Sequence, residues 1–195
     1  MVEPVTPPAS FAQGSEGTPV PSGTRVIRMA NEPAFDNLSP EFRRRVQDGK
    51  ALPSFFRLSS EDEKEPVPRL SVWVEGLTTV AQAWVLVGAH PKRTWVLFLH
   101  TDQVTPIRAE PVPGFPATAP LEIQWDPAKV RTPTGEWTLE TRPGAAGHAG
   151  IAHLNEGNKT QREVLRSMLA DLAAVRILTP EDIAEFASAP PPTLS

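Results

Sequence analysis

The sequence predicts an α+β fold: a mainly antiparallel, twisted sheet of about five to seven strands, with a short N-terminal helix and two C-terminal helices packed on it. Three observations lead there. Apolar residues recur at period two between Pro68 and Leu154, and a helix-period stripe runs from Val164 to Val175. The chain has no cysteine, 39% hydrophobic residues and a net charge of −4 over 195 residues, so its stability has to come from one packed core.

Residues 1–35 are rich in Pro, Ser, Gly and Thr, with Val26, Ile27 and Met29 as short apolar pieces, and read as an arm that cannot offset its own ordering entropy. Residues 36–188 form the predicted domain. Residues 189–195, with Pro190-Pro191-Pro192, read as an extended tail. The first helix starts at Ser39-Pro40-Glu41, where Ser caps, Pro suits the first turn and Glu favours the positive dipole end; it runs to Gln47 before Asp48-Gly49. Arg43, Arg44 and Arg45 fan around it, opposite a compensating acidic stretch at Glu61, Asp62, Glu63 and Glu65.

Leu70, Val72 and Val74 alternate with Ser71, Trp73 and Glu75 as a half-buried strand closed by Gly76. Val80 to Val87 and Arg93 to His100 are apolar on both faces, which suggests two central antiparallel strands joined across Gly88–Lys92. Val104 to Ala109 is expected as an edge strand because of Pro106. Pro111 to Pro120 is a rigid surface excursion. Beyond it, Leu121 to Trp125 and Trp137 to Leu139 read as a second hairpin around a turn at Pro133-Thr134-Gly135, and Ile151 to Leu154 as a last short strand. A helix opens at Thr160 with Glu163 completing a capping box, and carries Val164, Leu165, Met168, Leu169, Leu172 and Val175. Thr179-Pro180-Glu181-Asp182 starts a shorter helix to about Ala187, with Ile183 and Phe186 tucked under the sheet.

Several chemistries are excluded or unsupported. Without cysteine there is no thiolate nucleophile or thiolate zinc site. No Gly-x-Ser-x-Gly elbow occurs, and Gly157-Asn158-Lys159-Thr160 fails the phosphate-loop spacing at both ends. No metal or cofactor is expected. No stretch is long and apolar enough for a membrane span, the opening residues lack a secretory pattern, and a cytoplasmic location is expected. The negative net charge argues against nucleic acid as the main partner. Arginine outnumbers lysine 14 to 5, a bias that reads as GC-rich, bacterial or phage coding.

Residues 142–160 concentrate the remaining candidates. His148 and His153 are the candidate acid/base groups, with Arg142, Asn155, Glu156 and Lys159 as candidate ligand contacts among small residues that leave backbone accessible. Trp84 and Trp95 are expected in the core. Trp73, Trp125 and Trp137, in more polar strands, are expected at an interaction surface together with Arg43, Arg44 and Arg45. The leading functional expectation is a non-enzymatic interaction or assembly component that docks on a larger protein or a homo-oligomer. The alternative is a small enzyme or anion-binding domain built around residues 142–160.

Overall fold

The run Arg-Val-Ile-Arg-Met-Ala at residues 25–30 places apolar side chains at successive positions, Val26-Ile27 and Met29-Ala30, as a strand buried on both faces requires. In the computed structural model, which describes residues 12–59, 62–64 and 66–188, this run is β1 (Arg25–Ala30). It lies inside a six-stranded antiparallel sheet with β2 (Leu70–Val74), β3 (Trp95–His100), β4 (Glu122–Trp125), β7 (His148–Ala152) and β8 (Ala174–Ile177), in the order β4-β7-β2-β1-β3-β8. A separate two-stranded ribbon joins β5 (Lys129–Arg131) to β6 (Trp137–Leu139). The helices are α1 (Pro40–Gln47), α2 (Val80–Leu86), α3 (Thr101–Val104), α4 (Lys159–Leu172) and α5 (Pro180–Ser188). The architecture is α+β, as expected.

Register sorts the side chains into two cores. Val26 opposes Val74 and Leu99, and Ile27 opposes Trp73 and Phe98, so successive residues of β1 serve opposite faces. On the first face, Val26, Val72, Leu97, Ile123 and Ile151 pack with Leu165, Leu169 and Ala170 of α4 and with Phe55 and Phe56 of the 3-10 turn Pro53–Phe56. On the second, Ile27, Met29, Trp73 and Val96 meet Val80 and Ala83 of α2 and Leu178. The free edge of β4 is covered by the chain itself, since Gly17 and Val20 donate to Trp125 O and Ile123 O and Thr18 O accepts from Trp125.

The structure corrects several expectations. Residues 25–30 are a central strand and no part of an arm: a strand gains its stability from its neighbours, which composition alone does not reveal. Val80 to Val87 forms a helix because Thr79 and Gln82 make a reciprocal capping box, and a short apolar run fits either period. The strand that pairs with β3 is therefore β1. Val104 to Ala109 is not a strand; α3 takes the first residue, and Leu121 N donates to Ile107 O in the segment that follows. Trp125 pairs with Ala149 of β7, whereas Trp137 pairs with Arg131.

The cap of α4 is Asn158 with Gln161, not Thr160 with Glu163, and Gln161 is buried, its amide donating to Glu110 O and Pro116 O to pin the proline-rich excursion. The expected stripe divides. Leu165 and Leu169 are fully buried, Val164, Met168 and Leu172 are exposed, and Val175 belongs to β8, which local periodicity did not reveal. Ser39 caps α1 with Pro40 in the first turn, as expected. Among the described residues, Asp62 and Glu63 do not pair with the arginines of α1: Arg45 pairs with Asp171, and Asp62 accepts from Ser59 N. Ile183 is exposed and not tucked under the sheet; α5 is tied instead by Asp182, whose carboxyl is held at about 2 chiefly by hydrogen bonds from Arg176. Glu61, Glu65, the Phe186 side chain, residues 1–11 and the 189–195 tail lie outside the described residues.

The divided stripe predicts unequal costs. Leu165→Ala should destabilise by about 2–5 kcal/mol by leaving a cavity, and Met168→Ala by well under about 1 kcal/mol. Denaturant unfolding checks this; equal losses would mean that α4 packs with a different face.

Candidate functional site

The second face of the sheet is only partly covered, and beyond α2 it opens into a groove of about 750 Å³. Its floor is Trp73 and His148, neighbours on β2 and β7 whose rings lie 4.6 Å apart. One wall is the end of α2, with Leu86 and Val87; the other is the β5–β6 ribbon, with Lys129, Val130 and Trp137. The ribbon turns at residues 132–135, where Gly135 adopts φ 91° and Thr132 Oγ1 accepts from Glu136 N. Such a two-stranded ribbon is marginal alone. It is anchored where Glu140 N donates to Ala128 O and Ala128 packs on the second core.

Charges in the groove are already paired. Arg69, largely buried, donates to Gln124 Oε1 at 3.0 Å and Asp126 Oδ1 at 3.4 Å; Lys129 Nζ reaches Glu16 at 3.3 Å. Arg142 bonds Glu140 Oε2 at 2.7 Å through Nη2, and that contact holds the Glu140 carboxyl below its usual range. His148 Nδ1 bonds the carbonyl of Asp126, an acceptor, so Nδ1 carries the proton. Burial lowers the His148 pKa against the smaller opposing pull of Asp126, so the ring is neutral and its Nε2, without a hydrogen-bond partner among the described residues, is an acceptor. Ser71, on the same face, makes no hydrogen bond to it, so no nucleophile is aligned with this base.

The residues singled out in the sequence separate. Arg142, His148, Trp73 and Trp137 meet in the groove. Trp73 is buried as its floor, Trp125 is buried on the opposite face against Gly14, and only Trp137, 69% exposed, has the accessibility expected of an interaction residue. Trp95 is core as expected, and Trp84 is a half-buried helical residue. His153 bonds Glu156 Oε1 at 2.6 Å, while Glu156 Oε2 accepts from Ala119 N, so these two tie a loop together. Asn155 accepts from Arg162, and Lys159 is exposed in the first turn of α4. Residues 142–160 thus do not form one site. Their small residues serve packing: a Cβ on Gly147 would collide with Thr78 Oγ1, which donates to Gly144 O.

Arg43 donates to Leu38 O and Asp36 O and lies over Phe35; Arg45 donates to Ala51 O and Asp171; Arg44 is exposed. Two of the three therefore close local turns, and the triplet is not a common patch. The sequence did not single out Arg69, Asp126 or Gln124, because only the pairing of β4, β7 and β2 brings them together. Among the described residues no cluster of three His, Cys, Asp or Glu is placed to hold a metal, and no helix is long and apolar enough to cross a membrane. Compared with protein-family models, curated proteins and solved structures, the chain matches none.

A neutral, buried His148 makes a titration prediction. The unfolded chain takes up the proton near 6.5 and the folded one only lower, so stability falls as pH drops below 6.5. Nitrogen-detected NMR should give a midpoint below 6.5 with the proton on Nδ1; a midpoint at or above 6.5 contradicts the assignment.

Proposed function

We propose that this chain is a non-enzymatic binding module that docks on a larger protein, or on further copies of itself, through the β5–β6 ribbon and the groove beneath it. One observation carries the reading: Trp137, 69% exposed, lines a groove whose charges apart from Asp62 are paired, and Leu139, 59% exposed, shares its face of the ribbon. A large exposed aromatic beside neutralised charge favours an apolar or aromatic partner segment, since burying it releases water without stranding an ion. The arginine-over-lysine bias supports a bacterial or phage setting for that assembly.

A second reading rests on His148. Its free Nε2 could accept a hydrogen bond from a small ligand lodged against Trp73, which would make the groove a ligand site. Among the described residues no nucleophile is hydrogen-bonded to His148, which favours binding over turnover.

Affinity capture from the native source separates the readings. A partner, or a self-associated form, should be retained by the wild type and by Leu172→Ser, a substitution of another exposed apolar residue, and lost in Trp137→Ala/Leu139→Ser with unfolding midpoint unchanged. Equal retention by the ribbon variant, or a wild type that stays monomeric and alone, contradicts docking through the ribbon.

A further inference from the structure

Backbone pairing between β1 and β2 stops at Ile27 and Trp73, and from there the strands part. Arg28 fills the seam. It is the one charged residue among Val26, Arg28 and Ala30, the β1 positions that face the larger core. Its Nη1 donates to Ser71 O at 2.8 Å and its Nε to Phe55 O at 3.2 Å. Both acceptors are neutral, Nη2 has no partner, and Arg28 forms no ion pair among the described residues. A guanidinium drawn out of water with no carboxylate bonded to it is costly, and burial brings its pKa down to about 10 against the attraction of Asp62.

Arg28 lines a pocket of about 510 Å³ that adjoins the groove, sharing Asp62, Ser71 and Val87 with it. Two more arginines line this pocket. Arg93 is held by Asn31 Oδ1 at 3.1 Å and Val87 O at 2.5 Å, again without a carboxylate. Arg57, 63% exposed, lies 3.8 Å from Glu163 at its nearest. Against three cations the lining sets two acids, Asp62 and Glu32, a formal balance of 3 − 2 = +1. Arg93 also acts repulsively on Arg28. Closing the seam accounts for the two carbonyl bonds of Arg28 but not for two further guanidinium groups turned to the same space. A bound anion would relieve that repulsion and take the free N–H groups.

We propose that this pocket binds a small ligand through a single oxyanion group, a phosphate monoester or a carboxylate, held by Arg28, Arg57 and Arg93. The residual charge of one suits a lone oxyanion and disfavours polyphosphate. The site is independent of docking through the ribbon.

The test is to titrate the full chain with inorganic phosphate and, separately, acetate, at ionic strength fixed with sodium chloride, following the arginine Nε–H resonances and the unfolding midpoint. Saturable shifts at Arg28 and Arg93 with a rise in midpoint are expected; phosphate alone, acetate alone or both responding identifies the group and supports the site. Arg57→Gln and Arg93→Gln should each weaken binding roughly tenfold, as loss of one charge-assisted hydrogen bond implies. Arg57 is exposed enough for its variant to fold, so the test does not depend on Arg28 or Arg93 tolerating change. Non-saturating shifts for both ions, or affinity unchanged in Arg57→Gln and Arg93→Gln, would overturn the proposal.

Discussion

The structure depends on one strand pairing on both sides with partners far away in the chain. β1 joins β4-β7-β2 to β3-β8, and among the described residues no other strand connects these halves of the sheet. Its alternate residues also feed both cores: Val26 and Ala30 enter the one under α4, Ile27 and Met29 the one under α2. A slip of one residue would put every side chain on the wrong face, so the fixed register of β1 sets the register of the whole. That constraint also explains Arg28, whose side chain continues the join where backbone pairing with β2 ends.

Features set by local chemistry were legible in the sequence. Ser39 and Pro40 start α1, residues 133–135 turn, and the alternation of Leu70 to Val74 makes a strand, because caps, turns and pleats need only neighbouring residues. The α2 segment shows the limit. Its cap, Thr79 with Gln82, was readable, but a run that is apolar at every position except Gln82 hides its period, and only burial of Val80 and Ala83 on one side reveals the helix. β1 and β8 were illegible for a different reason: six residues hold only by pairing with β2 and β3, and four only by pairing with β3.

The candidate site was half legible for the same reason. His148, Arg142, Trp73 and Trp137 were recognisable as chemistry, yet which of them meet is decided by sheet order. Trp73 and Trp125 both lie in strands that carry polar residues, which suggested surface; instead they face opposite cores, since α2 covers one side of the sheet and α4 the other. His153, the acid/base candidate, and Glu156, a candidate ligand contact, are bonded to each other, and Glu156 also accepts from Ala119 N. The groove and the arginine pocket adjoin each other on either side of Ser71 and Asp62, next to the seam where β1 leaves β2. The end of β1–β2 pairing thus lies beside both of these concave surfaces.

Native-state amide hydrogen exchange tests the central claim most directly, because it reads the stability of each strand in the intact chain. If β1 joins the sheet, the pairing amides of residues 25–30 exchange only through global unfolding, as slowly as those of Leu97 and Leu99 in β3. Fast exchange across 25–30 while β2 and β3 stay protected would contradict it, and would return this segment to the status of an arm.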